Sequence, residues 1–594
     1  MLAALANYAA LAFFVAPSWG KGRLFFRTDE RMAADSAVLR AAMQTTTGVG
    51  VFIVLFQALA IVGFFAAVPV MALLMAGAAG AAVTWPDAWR SWRSWRGARA
   101  LNASWTRLEW LLLLVLISAT LPAVIAPLTP PSSFDELMYH LPYARQVAQS
   151  GSLGIHEWLR YPWFPYNYNL LYAAALMLGD DVLPHFLNAM AGGLSACILY
   201  GLGARHADRA TGLIAAAVWL FIGDYSNALI DMGVALFILS GCAALSQWRE
   251  ATERNALRWL VLAAFLLGVA VGSKYQALTF MPLIAGYVLW HERRVRPLAI
   301  ALAMFLLPCA YWYARNALLS GDPFNPLGGP LFGFTNWNAA DYANQVLDVR
   351  SHAGAPHGLV WPAVLAPLSA FLRKSPALRA AGVLGLWSLA VWLASSAYPR
   401  YLMPAYPLLA LMAALGWRMV MQKAVDWTTG QPRAAGVAAA PVLRRWIATG
   451  LTVSMVLSAI GVSGYRTTVR LRQAALSPPA REAFLRAKVP GYAVMNYLRT
   501  GAHGRVYQVA LSEALYYGPN PIWGDTLGPW RYTDFLLQSA PVMARKLQAA
   551  GFGTIVIATP YLALLQDKPK YEAHFKLLFE QDGAKAYRIE TIEP

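Results

Sequence analysis

The stretch 107–140 reads RLEWLLLLVLISATLPAVIAPLTPPSSFDELMYH, and its two halves belong to different solvents. Residues 108–128 form an apolar run long enough to cross a bilayer, which takes about 20 residues. Beyond Pro130 and Pro131 stand two adjacent acids, Asp135 and Glu136. They are followed by a helical pattern in which Leu137, Leu141, Ala144 and Ala148 recur at i, i+4, i+7 and i+11. That spacing predicts one apolar face laid on the bilayer, with Glu136, His140 and Tyr143 gathered on another. A span that delivers a carboxylate pair to the membrane surface is thus the unit that explains the rest of the chain.

The same apolar texture recurs on both sides. Candidate spans lie near 2–17, 46–65, 68–84, 108–128, 182–203, 211–223, 228–247, 258–273, 276–290, 297–315, 359–372, 380–396, 398–417 and 446–464, about 13 to 14 in all. Of 594 residues, 58% are hydrophobic and 13% charged, against roughly 25% charged in soluble proteins. This composition excludes a disordered chain and a single soluble enzyme. The formal charge of +18 does not point to nucleic acid, because the arginines sit in short clusters between apolar runs. These clusters are Arg90, Arg93, Arg96, Arg99 and Arg107; Arg205 and Arg209; Arg249, Arg254 and Arg258; Arg293, Arg294 and Arg296; Arg373, Lys374 and Arg379; and Arg418, Lys423, Arg433, Arg444 and Arg445. With alternating helices they all fall on one side, the cytoplasmic one by the positive-inside rule. The opposite side receives 129–181, 224–227, 316–358, 397–400 and 465–594. The run 2–17 lacks a basic segment before it and has Lys21, Arg23 and Arg27 after it, so it reads as a retained helix rather than a signal peptide.

Three regions follow: 1–107, a membrane region of no assigned role; 108–464, a transmembrane domain with the large outer loop 129–181; and 465–594, where apolar runs shorten and charges rise. In the last, Arg505–Leu511, Gly553–Ala558 and Ala586–Ile589 read as strands and Pro541–Ala550 and Tyr571–Glu580 as helices, a small outer α/β domain. Thr428–Ala440 is a linker. Cys197, Cys242 and Cys309 lie in apolar runs and read as core residues, not as a disulfide or zinc set.

The outer side carries the residues that chemistry would use. Ser133-x-x-Glu136 fits a capping box, and Asp135 in the first turn suits the helix dipole; a carboxylate so held is equally placed for acid–base work. The run His156-Glu157-Trp158-Leu159-Arg160-Tyr161-Pro162-Trp163 fits an interfacial aromatic belt or a platform for sugar rings. Lys274, Arg315 and Arg400 are lone cations at outer ends of spans, against the positive-inside bias. Each suits either a lipid phosphate at the surface or a shared phosphate site. Asp231 and Asp224 either orient such cations or cap turns. No Walker A loop, GxGxxG after a strand, HExxH or GxSxG elbow is present, so nucleotide-driven chemistry has no support.

At Phe134-Asp135-Glu136-Leu137-Met138-Tyr139-His140, Gly272-Ser273-Lys274-Tyr275, Arg315-Asn316 with Gly321-Asp322-Pro323, and Arg400-Tyr401-Leu402-Met403-Pro404, the chain resembles the polytopic GT-C glycosyltransferases that use polyprenyl-phosphate sugars. The bacterial protein mannosyltransferases and lipid A aminoarabinose transferases are the branch it is most like. The resemblance covers roughly 108–594. It implies a mainly α polytopic membrane protein with a C-terminal extracytoplasmic α/β domain, placed in a bacterial inner membrane. It also implies inverting transfer from a polyprenyl-phosphate sugar to a lipid, polysaccharide or protein. By that resemblance Asp135 is the general base and Glu136 the second acid. Lys274, Arg400 and Arg315 bind the donor phosphate, while His140, Tyr139, Arg160, Tyr161, Trp163 and Asp231 are candidates for the sugar or acceptor. No cofactor is expected, since the cations can carry the phosphate charge; a divalent ion on Asp135 and Glu136 is the other option. The competing function is a lipid-linked sugar flippase or transporter without chemistry. Such proteins place polar groups near the bilayer midplane, whereas these collect at one surface.

Overall fold

The computed structural model describes residues 2–25, 37–97, 105–429 and 440–590. Arg27, Arg99, Arg433 and most of the linker 428–440 lie outside the described residues, as do the side chains of Arg93, Arg96, Arg254, Arg444 and Arg445.

Among the described residues, eight helices are long and apolar enough to cross a membrane: Ala37–Ile61, Ala67–Pro86, Arg107–Leu128, Leu183–His206, Asp231–Glu250, Val295–Ser320, Pro376–Ser395 and Pro399–Lys423. The chain is therefore an integral membrane protein. The other expected spans are shorter, broken or part of longer helices. Residues 211–223 form only Arg209–Ile222, and 276–290 begin as the 3-10 turn Tyr275–Phe280 before the helix Met281–His291. Residues 359–372 form a 3-10 helix, Gly358–Leu368, because Pro362 and Pro367 each remove a backbone donor. The run 2–17 is part of the helix Leu2–Phe25, and 446–464 of Ala440–Gln473. Leu2–Phe25 packs backbone to backbone against Ala37–Ile61, where a Cβ on Gly22 or Gly48 would overlap Gln44 or Ser18.

The bundle is layered. In Asp231–Glu250, 89% of the apolar window is buried, against 22% in Val295–Ser320, so the former is the central helix and carries Asp231 into the middle of the molecule. The loop helix beginning at Phe134 includes one π-helical turn, Glu136–His140, and continues as Leu141–Ser150. It does not lie on the bilayer as the apolar spacing suggested: Leu137, Leu141 and Ala144 are buried, and so are Glu136, His140 and Tyr143 on the other face. Protein covers residues 136–144 on all sides, which the spacing alone cannot distinguish from lipid on one.

The C-terminal sheet has the order β1-β2-β4-β3. The strands are β1 (Arg505–Val509), β2 (Phe552–Ala558), β3 (Phe575–Gln581) and β4 (Ala584–Ile589). β1 and β2 run parallel through the crossover helix Ala540–Ala549, and the other neighbours are antiparallel. The helix expected over Tyr571–Glu580 is one short turn, Tyr571–His574, followed by β3. Asp582 and Gly583, both at positive φ (49° and 75°), close the β3–β4 hairpin, and Asp-Gly is a strong hairpin signal. This region sits on the loops 129–181 and 316–358. Asp525 accepts from Arg160, Asp341 from Arg531 (Nη2–Oδ2 2.6 Å), and Tyr517 donates to the Pro131 carbonyl at 2.7 Å.

Candidate active site

Four charged side chains from four separate segments meet beneath the outer loop. Asp231 opens the central helix, Lys274 follows the helix Glu253–Val271, Arg400 lies in the 3-10 turn Pro399–Ala405, and Asp135 lies in the first turn of the loop helix. Lys274 Nζ is 2.6 Å from Asp231 Oδ1, Arg400 Nε is 3.2 Å from Asp231 Oδ2, and Arg400 Nη1 is 2.5 Å from Asp135 Oδ2. A single carboxylate thus spaces two cations, and the planar guanidinium links it to a second carboxylate. Arg400 Nη2 is buried and has no partner among the described residues. Buried donors are nearly always paired, so this one is suited to an acceptor brought by a ligand. Tyr401 lies under Lys274, its ring centre 5.5 Å from Nζ.

Local folding explains the placement. Lys274 follows a helix ending at Gly272, whose carbonyl accepts from Asn167 N at 3.0 Å. Asn167 in turn donates to the Pro308 carbonyl at 2.8 Å and accepts from Trp312 at 2.7 Å. A Cβ on Gly272 would lie 2.8 Å from the Pro308 oxygen and against the Asn167 amide, so only glycine fits. Burial opposes charge on Asp135, but Arg400 at contact distance overrides it and holds the carboxyl below its ordinary pKa. Burial lowers the Lys274 pKa, with Asp231 opposing.

Glu136 has a different surrounding from its neighbour. It is fully buried, faces His185, and accepts from the backbone N–H groups of Ala228 (2.8 Å), Ser133 (3.1 Å) and Ser132 (3.2 Å). Half of the expected capping box is therefore present, with Glu136 reaching back to Ser133. Among the described residues the two adjacent carboxylates share no partner, Glu136 being taken up by His185 and three backbone N–H groups and Asp135 by Arg400, so the arrangement does not fit a divalent ion held between them. His185 was not among the expected site residues, although a histidine at the start of an apolar span is a signal of its own.

Tyr139 donates to Asp135 Oδ2 at 3.4 Å and meets Tyr161 edge to face at 5.0 Å; Tyr161 donates to Gln345 at 2.9 Å. His140 faces Asn169 Nδ2 through Nδ1 at 3.1 Å, and burial drops its pKa to about 3, so its ring is neutral. Arg315 is not in this cluster. It donates to the Trp163 carbonyl (2.9 Å) and the Asn316 side chain, and stacks over Trp312. Of the three expected cations, two meet at Asp231, while Arg315 lies in the helix Val295–Ser320 and turns toward its own aromatic neighbours. Arg160 and Trp163 also stand apart: Arg160 ties the loop to Asp525, and Trp163 takes Arg315 and Asn316 on its carbonyl. Asp224 caps a turn at Ser226 N (3.1 Å) and meets Arg470.

A family model described as dolichyl-phosphate-mannose-protein mannosyltransferase matches residues 167–312, a stretch that contains Asp231 and Lys274; a second, described as SF2091/S2213, matches 480–588. Two Shigella flexneri proteins, described as uncharacterized proteins SF2093/S2215 and SF2092/S2214, are 33% identical over 144 residues and 31% identical over 137 residues. Those stretches are 23% and 21% of this chain and 71% and 74% of the relatives. Among solved structures, ArnT from Cupriavidus metallidurans bound to undecaprenyl phosphate matches with a TM-score of 0.51 at 15% identity. The match covers 81% of this chain and 98% of that one, a likeness of fold.

Proposed function

Since the chain belongs to the family of those two Shigella flexneri proteins and is a membrane glycosyltransferase of the GT-C fold, we propose that it moves a sugar from a polyprenyl-phosphate donor to an acceptor at the extracytoplasmic surface, with inversion and with Asp135 as general base. The observation that carries this reading is the contact of Asp135 with Arg400, which shares Asp231 with Lys274. It supplies both things the reaction needs, a base for a hydroxyl and cations for a departing phosphate.

Asp135 and Asp231 balance Lys274 and Arg400, so the cluster is close to neutral before a donor arrives. A lipid-borne phosphate takes the Nη2 edge of Arg400 and loosens its hold on Asp135, while Asp231 keeps both cations in position. The acceptor oxygen then attacks the anomeric carbon from the face opposite the phosphate. The new C–O bond forms as the C–O bond to phosphate breaks, the hydroxyl proton passes to Asp135, and the electron pair leaves with the phosphate. The lipid tail confines the donor at the membrane surface, which supplies orientation. Glu136 is a positioning residue: through His185 and the N–H of Ala228 it fixes the loop that presents Asp135. The basic clusters at the far ends of the spans support the extracytoplasmic side of this reading, and an inner membrane is the setting it proposes.

The test is transfer by the purified full chain from a polyprenyl-phosphate sugar. Asp135→Asn is expected to keep the fold and lose about 10²-fold or more in rate. Undiminished transfer by that variant would overturn the mechanism.

A further inference from the structure

The central helix Asp231–Glu250 is about 30 Å long at about 1.5 Å per residue, so its far end is a membrane's breadth from Asp231. There a cavity opens, about 820 Å³ in volume, between that helix, Met281–His291, the start of Pro376–Ser395 and two further helices at Leu202 and Leu411. Its size is that of a small-molecule site. Its walls are apolar, with Leu239 and Leu384 typical, and its rim is basic: His206, Arg249, His291 and Arg379.

Among the described residues the one carboxylate lining the cavity, Glu250, is engaged by Arg205 at 2.5 Å. Neither Arg249 nor Arg379 is ion-paired among the described residues. Arg249 rests 5.6 Å from the centre of the Trp248 ring, and Arg379 donates to the Arg373 carbonyl. Trp290, 73% exposed at the same rim, marks the headgroup level. Two cations without counter-ions over an apolar slot are complementary to one kind of molecule, an amphiphile with an anionic head. Free phosphate would leave the apolar walls unused, and an uncharged lipid would leave the cations unused.

We propose that this cavity binds an anionic membrane lipid, its phosphate on Arg249 and Arg379 and its acyl chains against the apolar walls. The site needs only the membrane-spanning fold, not the transfer reaction, and none of its rim residues touches Asp135, Asp231, Lys274 or Arg400.

Full-length protein in nanodiscs of phosphatidylcholine with a minority of phosphatidylglycerol provides the test, with retained lipid read by native mass spectrometry. Wild type is expected to keep phosphatidylglycerol selectively. Arg249→Gln with Arg379→Gln should lower that retention roughly tenfold while leaving transfer activity in place. Ala381→Trp, which fills the cavity from its wall and leaves both arginines in place, should lower it too and decides the matter if the double variant fails to fold. Equal retention by wild type and variants overturns the site. So does displacement of the lipid by inorganic phosphate, or polyprenyl phosphate being the species lost from the variants.

Discussion

Arg400→Lys keeps the charge and removes the fork. An ammonium cannot span Asp231 and Asp135 while also offering a third edge to phosphate, so transfer should fall about 10²-fold in kcat/KM measured with a lipid-linked donor. Asp135 and Glu136 should separate by readout. Glu136→Gln sets an amide N–H₂ against backbone donors in a fully buried site, and is expected to destabilise the protein by about 2 kcal/mol or more, seen as a lower melting midpoint in detergent. Asp135→Asn should act on rate. The pH profile follows from the same neighbours. Asp135, held below the usual carboxylate range by Arg400, keeps its base form as pH falls through mildly acid values, so no acid limb from Asp135 is expected at about pH 5–7. Its ion pair contributes stability above its unfolded pKa and loses it as pH falls through the lower folded one. Burial lowers Lys274 from its ordinary 10.5, so the alkaline limb should begin below that value and move upward in Lys274→Arg.

At the scale of elements, the spans and the loop residues Asp135, Lys274 and Arg400 were legible because apolar runs and lone outer charges are local patterns. Their meeting was expected only through the family resemblance, since Asp135 and Arg400 lie 265 residues apart and no spacing rule joins them. Arg315 illustrates the limit: its position at a span end matches the other two cations, and only the packing of Trp312 and Trp163 turns it elsewhere. The β3–β4 hairpin was missed for another reason. The alternation of Phe575, Leu577 and Phe579 is short and follows one helical turn, so the helix reading ran through it, although Asp582-Gly583 marked the turn. Gly272 is the element-level test of how Lys274 is placed. Gly272→Val should force the 272–275 turn away from Asn167 and Pro308, costing about 1–3 kcal/mol, and should lower transfer further than the fall in melting midpoint explains.

At the scale of the whole molecule, the outer sheet region is fastened to the membrane region by Arg160 with Asp525 and by Arg531 with Asp341. Both pairs are largely buried, and removing one partner strands the other. Asp525→Ala should therefore weaken the seating by about 3 kcal/mol and expose the segment after Gln473 to limited proteolysis; a cleavage pattern identical to wild type would show that Asp525 has no part in it. Sharing Asp231 between two cations also has a consequence for a shortened chain. A chain that ends before Arg400 carries Asp135 and Asp231 against Lys274 alone, an excess of negative charge that is expected to disfavour phosphate. Such a truncated chain is therefore expected to show no transfer.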